Sequence, residues 1–175
     1  MSPKNDSLHT PELDPQTHPH GHNQDVANLG FLRPPFVYLA AILAGVGLDL
    51  LRPLRWLPAG IGLWVGVPFV ILSLVLFFAS TRRFKAAGTP VPGNKPTTAI
   101  VQSGPYRFSR NPIYLAFSVL VLGIACWRNS IWLLGTLAAA VSLMSFVVIP
   151  REERYLQRRF GAQYLEYKAK VRRWL

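Results

Sequence analysis

The sequence predicts an all-α, integral-membrane bundle of about four transmembrane helices, with a cytoplasmic connector and a basic amphipathic C-terminal helical segment. Three observations carry that reading. Half of the 175 residues are hydrophobic and only 15% are charged, too apolar a balance for a soluble domain of this length. The apolar residues fall in four blocks divided by Arg, Pro, Gly and Asn. The net charge of +11 is gathered at one end of those blocks.

Residues 1–30 are polar and Pro-containing, and are expected to form a disordered tail. No basic start leads into an apolar core there, so no cleavable signal peptide is expected. All four histidines (His9, His18, His20 and His22) lie in this tail. Without a fold around them they make no ordered metal site, and no metal is expected. Residues 31–175 form the membrane domain. Its first block, Phe31–Leu51, opens on Arg33-Pro34-Pro35, since proline is tolerated in a first helical turn. Asp49, near its end, is expected to pair with Arg52. The second block, Trp56–Ser80, has no charge and is long enough to cross a hydrocarbon core. Residues 81–112 read as a polar connector, because Gly88, Pro90, Pro92, Gly93 and Pro96 preclude a long helix.

The last two blocks, about residues 111–128 and 131–150, are separated by Arg128-Asn129-Ser130, which predicts an antiparallel hairpin. The chain is expected to leave the membrane at Pro150. Residues 151–175 then form one or two basic amphipathic helices on the membrane surface or capping the bundle. With four spans, sixteen Lys and Arg fall on the side of both termini and the connector, and three (Arg52, Arg55 and Arg128) on the other. That bias predicts cytoplasmic termini in a bacterial-type inner membrane. The lone Cys126 excludes an internal disulfide. The basic residues are split between segments flanking spans and carry no nucleic-acid motif, so no nucleic-acid partner is expected.

The hairpin brings two polar elements to one rim. The first is Ser103-Gly104-Pro105-Tyr106-Arg107-Phe108-Ser109-Arg110-Asn111-Pro112-Ile113-Tyr114. Its arginines can hold a carboxylate or phosphate, and Asn111 is placed to cap the third helix ahead of Pro112. The second is Glu152-Glu153, an acidic pair in arginine-rich surroundings.

Residues Ile100–Tyr114, followed in order by Glu152-Glu153, Phe160-Gly161 and Tyr164-Leu165-Glu166-Tyr167, resemble the signature of the isoprenylcysteine carboxyl methyltransferase family. The wider superfamily includes membrane phospholipid methyltransferases. The resemblance covers roughly residues 80–175, with Ala87-Gly88-Thr89 as its lead-in. It implies a membrane enzyme that uses S-adenosylmethionine. Gln102, Gly104, Pro105, Tyr106, Arg110, Asn111, Pro112 and Tyr114 would line the cofactor pocket. Glu152 or Glu153 would bind the cofactor's ammonium group. Lys170, Arg172 or Arg173 would orient the acceptor, a lipophilic or small hydrophobic carboxylate or thiol drawn from the membrane. Asn111 stands where the family often has histidine, which leaves the folded part without an imidazole base. A carboxylate or thiolate acceptor needs none. A phospholipid amine, the alternative acceptor, would have to yield a proton to Glu152, Glu153 or water. A non-catalytic membrane protein that keeps the scaffold is the remaining reading.

Overall fold

A computed structural model describes residues 33–89 and 97–175. The histidine-bearing tail and part of the connector lie outside the described residues. Among the described residues the chain is helical, without a strand.

Helix α1 spans Pro34–Leu51 and helix α2 spans Ile61–Ala86. The second helix is displaced from the expected 56–80 at both ends. Pro58 and the left-handed Gly60 (φ 84°) hold Trp56 in the preceding loop. At the other end Thr81–Ala86 contains no helix breaker, so α2 runs on through Arg82, Arg83 and Lys85 to Gly88, whose φ is 62°. Part of the expected connector is therefore helix, and it buries Phe84. A short 3₁₀ turn, Gly104–Arg107, leads to α3, Pro112–Arg128. At 1.5 Å per residue, its 17 residues span about 26 Å.

Helix α4 is Ile131–Leu143, followed by a π-helical turn at Met144–Val148, and then α5, Ile149–Phe160. These make one unbroken rod of 30 residues. The expected fourth span, 131–150, and the start of the C-terminal segment therefore lie on one continuous helix. Proline lacks an N–H and would break an α-helical ladder. Here the wider π turn precedes it: the Ile149 N–H bonds to the Met144 carbonyl, five residues back. In that register the Ser145 carbonyl would look to Pro150, which has no donor. Arg173 Nη1 donates to it instead, at 3.3 Å. The rod measures about 45 Å, whereas a hydrocarbon core takes about twenty residues, so Arg151 onward projects beyond the apolar layer. Gly161 (φ 53°) turns the chain into α6, Ala162–Lys170. Val171–Leu175 then crosses back beneath the bundle.

The α3–α4 hairpin is the centre, with α2 packed on α3 and α1 on α4. Val121, Ala125, Leu133, Met144, Val148 and Ile149 are buried. Leu43, Trp64, Val75, Phe78 and Phe146 face outward. Among the described residues, three helices are long and apolar enough to cross a membrane, and α3 is a shorter apolar helix. The fold is a membrane helical bundle.

Glycine sets the α2–α3 distance. A Cβ on Gly66 would lie 2.5 Å from the Trp127 main-chain nitrogen and 2.6 Å from the Gly123 oxygen. Gly62, one turn earlier, meets the Cys126 oxygen at 2.5 Å. Such close backbone approach is how membrane helices associate when burial from water no longer drives them together. Gly66→Ala should therefore lower stability in detergent by roughly 1–3 kcal/mol, since main chain cannot give way as a side chain can. Gly47→Ala, with nothing within 4 Å, is the control. Equal loss for both variants in an SDS-unfolding series would refute this account of the seam.

At the rim formed by the end of α1 and the α3–α4 turn, Asp49 is buried. It pairs with Arg55 at 3.2 Å and Arg128 at 3.1 Å. The expected Asp49–Arg52 pair does not form. Arg52 has left the helix for an extended conformation (φ −145°, ψ 91°), which carries its side chain off the face where Asp49 sits. Its carbonyl instead accepts from Trp132 Nε1 at 2.7 Å. The Asn129 side chain ties the same turn to the α1–α2 loop, accepting from the Trp56 and Leu57 amides and donating to the Leu57 carbonyl.

Candidate active site

The opposite rim gathers the loop before α3, the start of α5, α6 and the C-terminal strap. The α3–α4 hairpin fixes this meeting, because residues before α3 and after α4 must emerge on the same side. Arg110 Nη1 lies 2.9 Å from Glu153 Oε1. The two polar elements expected to converge do so in direct contact.

The two carboxylates, adjacent on one helix turn, have different partners. Arg173 grips Glu153 with both edges of its fork: Nε donates to Oε1 at 3.0 Å and Nη2 to Oε2 at 2.9 Å. Lys168 Nζ stands 3.6 Å from Oε2. Burial alone would raise the Glu153 carboxyl. The Arg173 hydrogen bonds and the charges of Arg110, Arg173 and Lys168 outweigh it and hold the group below the ordinary carboxylate range. Glu152 has one hydrogen-bond partner, the Tyr114 hydroxyl, which donates to Oε1 at 2.6 Å. Burial pushes its pKa up to about 7, against that hydrogen bond, and the neighbouring Glu153 charge adds to the rise. One acid is thus ionised and neutralised by three cations, while the other waits close to neutrality without a counter-ion.

The C-terminal strap closes the floor. The Arg110 amide donates to the Arg172 carbonyl at 3.0 Å. Asn111 Nδ2 donates to the Arg173 carbonyl at 3.0 Å. Asn111 is the N-cap residue of α3, but its side chain makes no capping bond. The expected cap is corrected: the strap, rather than the α3 amides, receives its side-chain donor. Trp174 Nε1 donates to Ser145 Oγ at 3.1 Å, so the strap also grips the π turn.

The other expected residues are placed unevenly. Tyr106 is buried, its ring edge-to-face with Phe84 at a centroid distance of 5.2 Å, and its carbonyl accepts from the Tyr167 hydroxyl at 2.8 Å. Burial first, then Tyr167 and Glu152, push its phenol well above the usual range, so it stays neutral. Gly104 has φ 63° and lies against Arg83, where a Cβ would fall 2.7 Å from Nε. Pro105 and Pro112 shape the turn and the first residue of α3. Gln102, Lys170 and Arg172 have exposed side chains away from the carboxylates, leaving Arg173 as the C-terminal base that enters the cluster. Lys168 and Ser145 were missed from sequence, and Tyr164 was named there only within the second signature, without a role. Tyr164, which lies 3.4 Å from Arg110 Nη1, and Lys168 are four residues apart, so their placement on one face of α6 was available from helical periodicity. Nothing in the sequence marks Ser145.

Among the described residues, Arg110 Nε is a buried polar atom of this cluster that has no hydrogen-bond partner. The Arg110 side chain is 9% exposed and spends Nη1 on Glu153 and Tyr164. Its Nε edge is the side of the guanidinium that forks a carboxylate or phosphate. Together with the unpaired Glu152, it makes a rim that can take an anionic and a cationic group at once.

Comparison with known proteins places this arrangement. An uncharacterized protein of Haemophilus influenzae is 41% identical over 64 residues, covering 36% of this chain and all of that protein. The cobalt-zinc-cadmium resistance protein CzcN of Cupriavidus metallidurans is 30% identical over 106 residues, 61% of this chain and 48% of that protein. The nickel-cobalt-cadmium resistance protein NccN of Alcaligenes xylosoxydans xylosoxydans is 38% identical over 64 residues, 37% of this chain and 30% of that protein. The chain thus matches less than half the length of either resistance protein. No solved structure matches. The profile of the phospholipid methyltransferase family matches residues 61–163. Because that match takes in more than half of the chain, with the Arg110 loop and both carboxylates inside it, the chain belongs to the phospholipid methyltransferase family.

Proposed function

We propose that the protein transfers a methyl group from S-adenosylmethionine to a lipophilic acceptor at the cytoplasmic membrane face, with a carboxylate or thiol as the atom methylated, as in the isoprenylcysteine carboxyl methyltransferases it resembles. The observation that carries this reading is the division of labour between the carboxylates. Glu153 is spent on Arg110, Arg173 and Lys168. Glu152 is buried beside it and, among the described residues, is partnered by the Tyr114 hydroxyl and by no cation, so it is suited to pair with a positive group. The Arg110 Nε edge offers the complementary place for a carboxylate. The amino-acid portion of S-adenosylmethionine carries both charges, so the residues fit the cofactor.

When bound, that cofactor supplies an electrophilic methyl group on a positively charged sulfur. The chain's residues do the rest by position. Glu152, ionised by an incoming cation, holds the ammonium group, and Tyr114 fixes the carboxylate's direction. Arg110 orients the carboxylate. Arg173, held through Glu153 and the Ser145 carbonyl, leaves the site rich in positive charge, which draws an anionic acceptor. Orientation of this kind supplies on the order of 7–11 kcal/mol to a two-substrate reaction. An apolar groove of about 380 Å³ lies between α1 and α4, lined by Phe36, Ala40, Ala44, Ala139 and Leu143. It gives a lipophilic acceptor a lateral approach from the bilayer.

A phospholipid amine is the second reading, favoured by the family match. The Glu152 carboxyl, with its pKa near 7, is suited to take the amine's proton. The test is to supply methyl-labelled S-adenosylmethionine to membranes containing the protein. Label in a base-labile, organic-soluble ester is the expected result. Label in a headgroup amine would replace the first reading with the second. Absence of lipid-soluble label in the wild type, relative to Glu152→Gln, would reject both.

A further inference from the structure

The Asp49 rim, opposite the carboxylate cluster, has a use that methyl transfer does not explain. The Asp49 side chain is 1% exposed, and it holds two guanidinium groups side by side. Oδ1 takes Arg55 Nη1 and Oδ2 takes Arg128 Nη2. Arg55 Nη1 also donates to the carbonyls of Arg128 at 2.8 Å and Asn129 at 3.3 Å. Each guanidinium is thus moored by a single nitrogen. Among the described residues, the remaining nitrogens of both have no hydrogen bond, and the side chains are 49% and 38% exposed. Arg52, turned away from Asp49, is exposed at the same rim. Leu50, Leu51, Leu54, Trp56 and Trp127 are exposed around them.

We propose that this rim seats an anionic phospholipid headgroup, with its phosphodiester bridging Arg55 and Arg128. A buried acid that moors two guanidiniums fixes them in advance, so their outward N–H groups need little further ordering to meet two phosphate oxygens. The arginines lie where helices end, at headgroup depth, and tryptophan is suited to that layer. A free phosphate would satisfy the arginines alone. The exposed leucines and indoles beside them select a phosphate that carries acyl chains, which makes the lipid the occupant.

The test uses the full chain purified in a non-ionic detergent, titrated with phosphatidylglycerol or phosphatidylcholine and followed by native mass spectrometry. The wild type should retain one phosphatidylglycerol more than an Arg55→Gln/Arg128→Gln double variant, with that site weakened about tenfold or more. Phosphatidylcholine has the same phosphodiester but adds a quaternary ammonium that the arginines repel, so its retention should be weaker and should fall less in the double variant. Equal retention of phosphatidylglycerol by the two proteins would overturn the proposal. So would displacement of the lipid by inorganic phosphate at equal concentration, which would make the acyl chains irrelevant. If the double variant does not fold, Arg128→Lys serves instead. It keeps the charge against Asp49 but loses the planar fork. It should retain phosphatidylglycerol several-fold less well, and unchanged retention would again refute the seat.

Discussion

Glu153→Gln should destabilise the protein by about 3 kcal/mol or more, the largest stability loss expected from any single carboxylate. The reason lies in what the substitution leaves behind. Arg110, 9% exposed, would keep its charge in a buried place with its 2.9 Å partner gone. Breaking a buried pair from one side costs about 3–5 kcal/mol, because the survivor is uncompensated. The Arg173 and Lys168 contributions are smaller, since their side chains are 36% and 39% exposed and water screens them. Glu152→Gln, one residue away, should change stability little at pH 5, where the buried carboxyl is protonated, and raise it at pH 8, where the amide is spared the cost of a buried unpaired carboxylate. Its amide oxygen can still accept from Tyr114, and no cation loses a partner. The pH dependence has opposite signs at the two positions. Glu153 is depressed, so its contribution is present above the unfolded carboxylate range and is lost as pH falls through the folded value. Glu152 is raised to about 7, so folding favours its protonated form, and stability declines as pH rises from the ordinary carboxylate value of 4.5 to about 7. SDS unfolding of both variants at pH 5 and pH 8 measures this. Equal stability of Glu153→Gln and wild type would remove the ion cluster from the account of what holds the C-terminal strap.

The second large effect concerns binding. S-adenosylmethionine should bind more tightly as pH rises toward neutrality, by up to about tenfold per unit below about 7, and level off above it. In the free protein near pH 6 the Glu152 carboxyl is largely protonated, because burial raises its pKa to about 7. A cation beside it favours the ionised form, so binding must expel the proton. Calorimetry in two buffers of different ionisation enthalpy should record the release of nearly one proton per cofactor at pH 6. Glu152→Gln should bind at least tenfold more weakly and lose both the release and the pH slope. An affinity that is flat from pH 5.5 to 8 would dismiss Glu152 as the cation's partner.

The sequence made the main contact of the site legible for a simple reason. Two apolar blocks with a three-residue link can only fold back on each other, which places the Arg110 loop and the Glu152-Glu153 pair on one side. Other features depended on hydrogen-bond accounting that spacing does not reveal. Pro150 marks the end of the apolar block, and spacing does not show that the helix runs through it, which it does because the π turn and Arg173 together meet the needs of the carbonyls that proline leaves without a donor. Asn111 reads as a cap, but a strap about sixty residues further on takes its donor. Asp49 pairs across the turns rather than with Arg52, which is nearer in sequence, because an extended backbone at a helix end turns that neighbour away. Which of two adjacent carboxyls meets the cations is likewise settled by the face of α5 that meets Arg110 and the strap.

The unbroken rod from Ile131 to Phe160 has a consequence for how the protein responds to its surroundings. A helix whose apolar length exceeds the local bilayer accommodates by tilting. Here the element that would tilt is also the one on which Glu152 stands, while Arg110 is carried by the shorter α3. Thinning the lipid would swing the acid relative to the loop it faces, so bilayer thickness becomes a variable that the pocket senses mechanically.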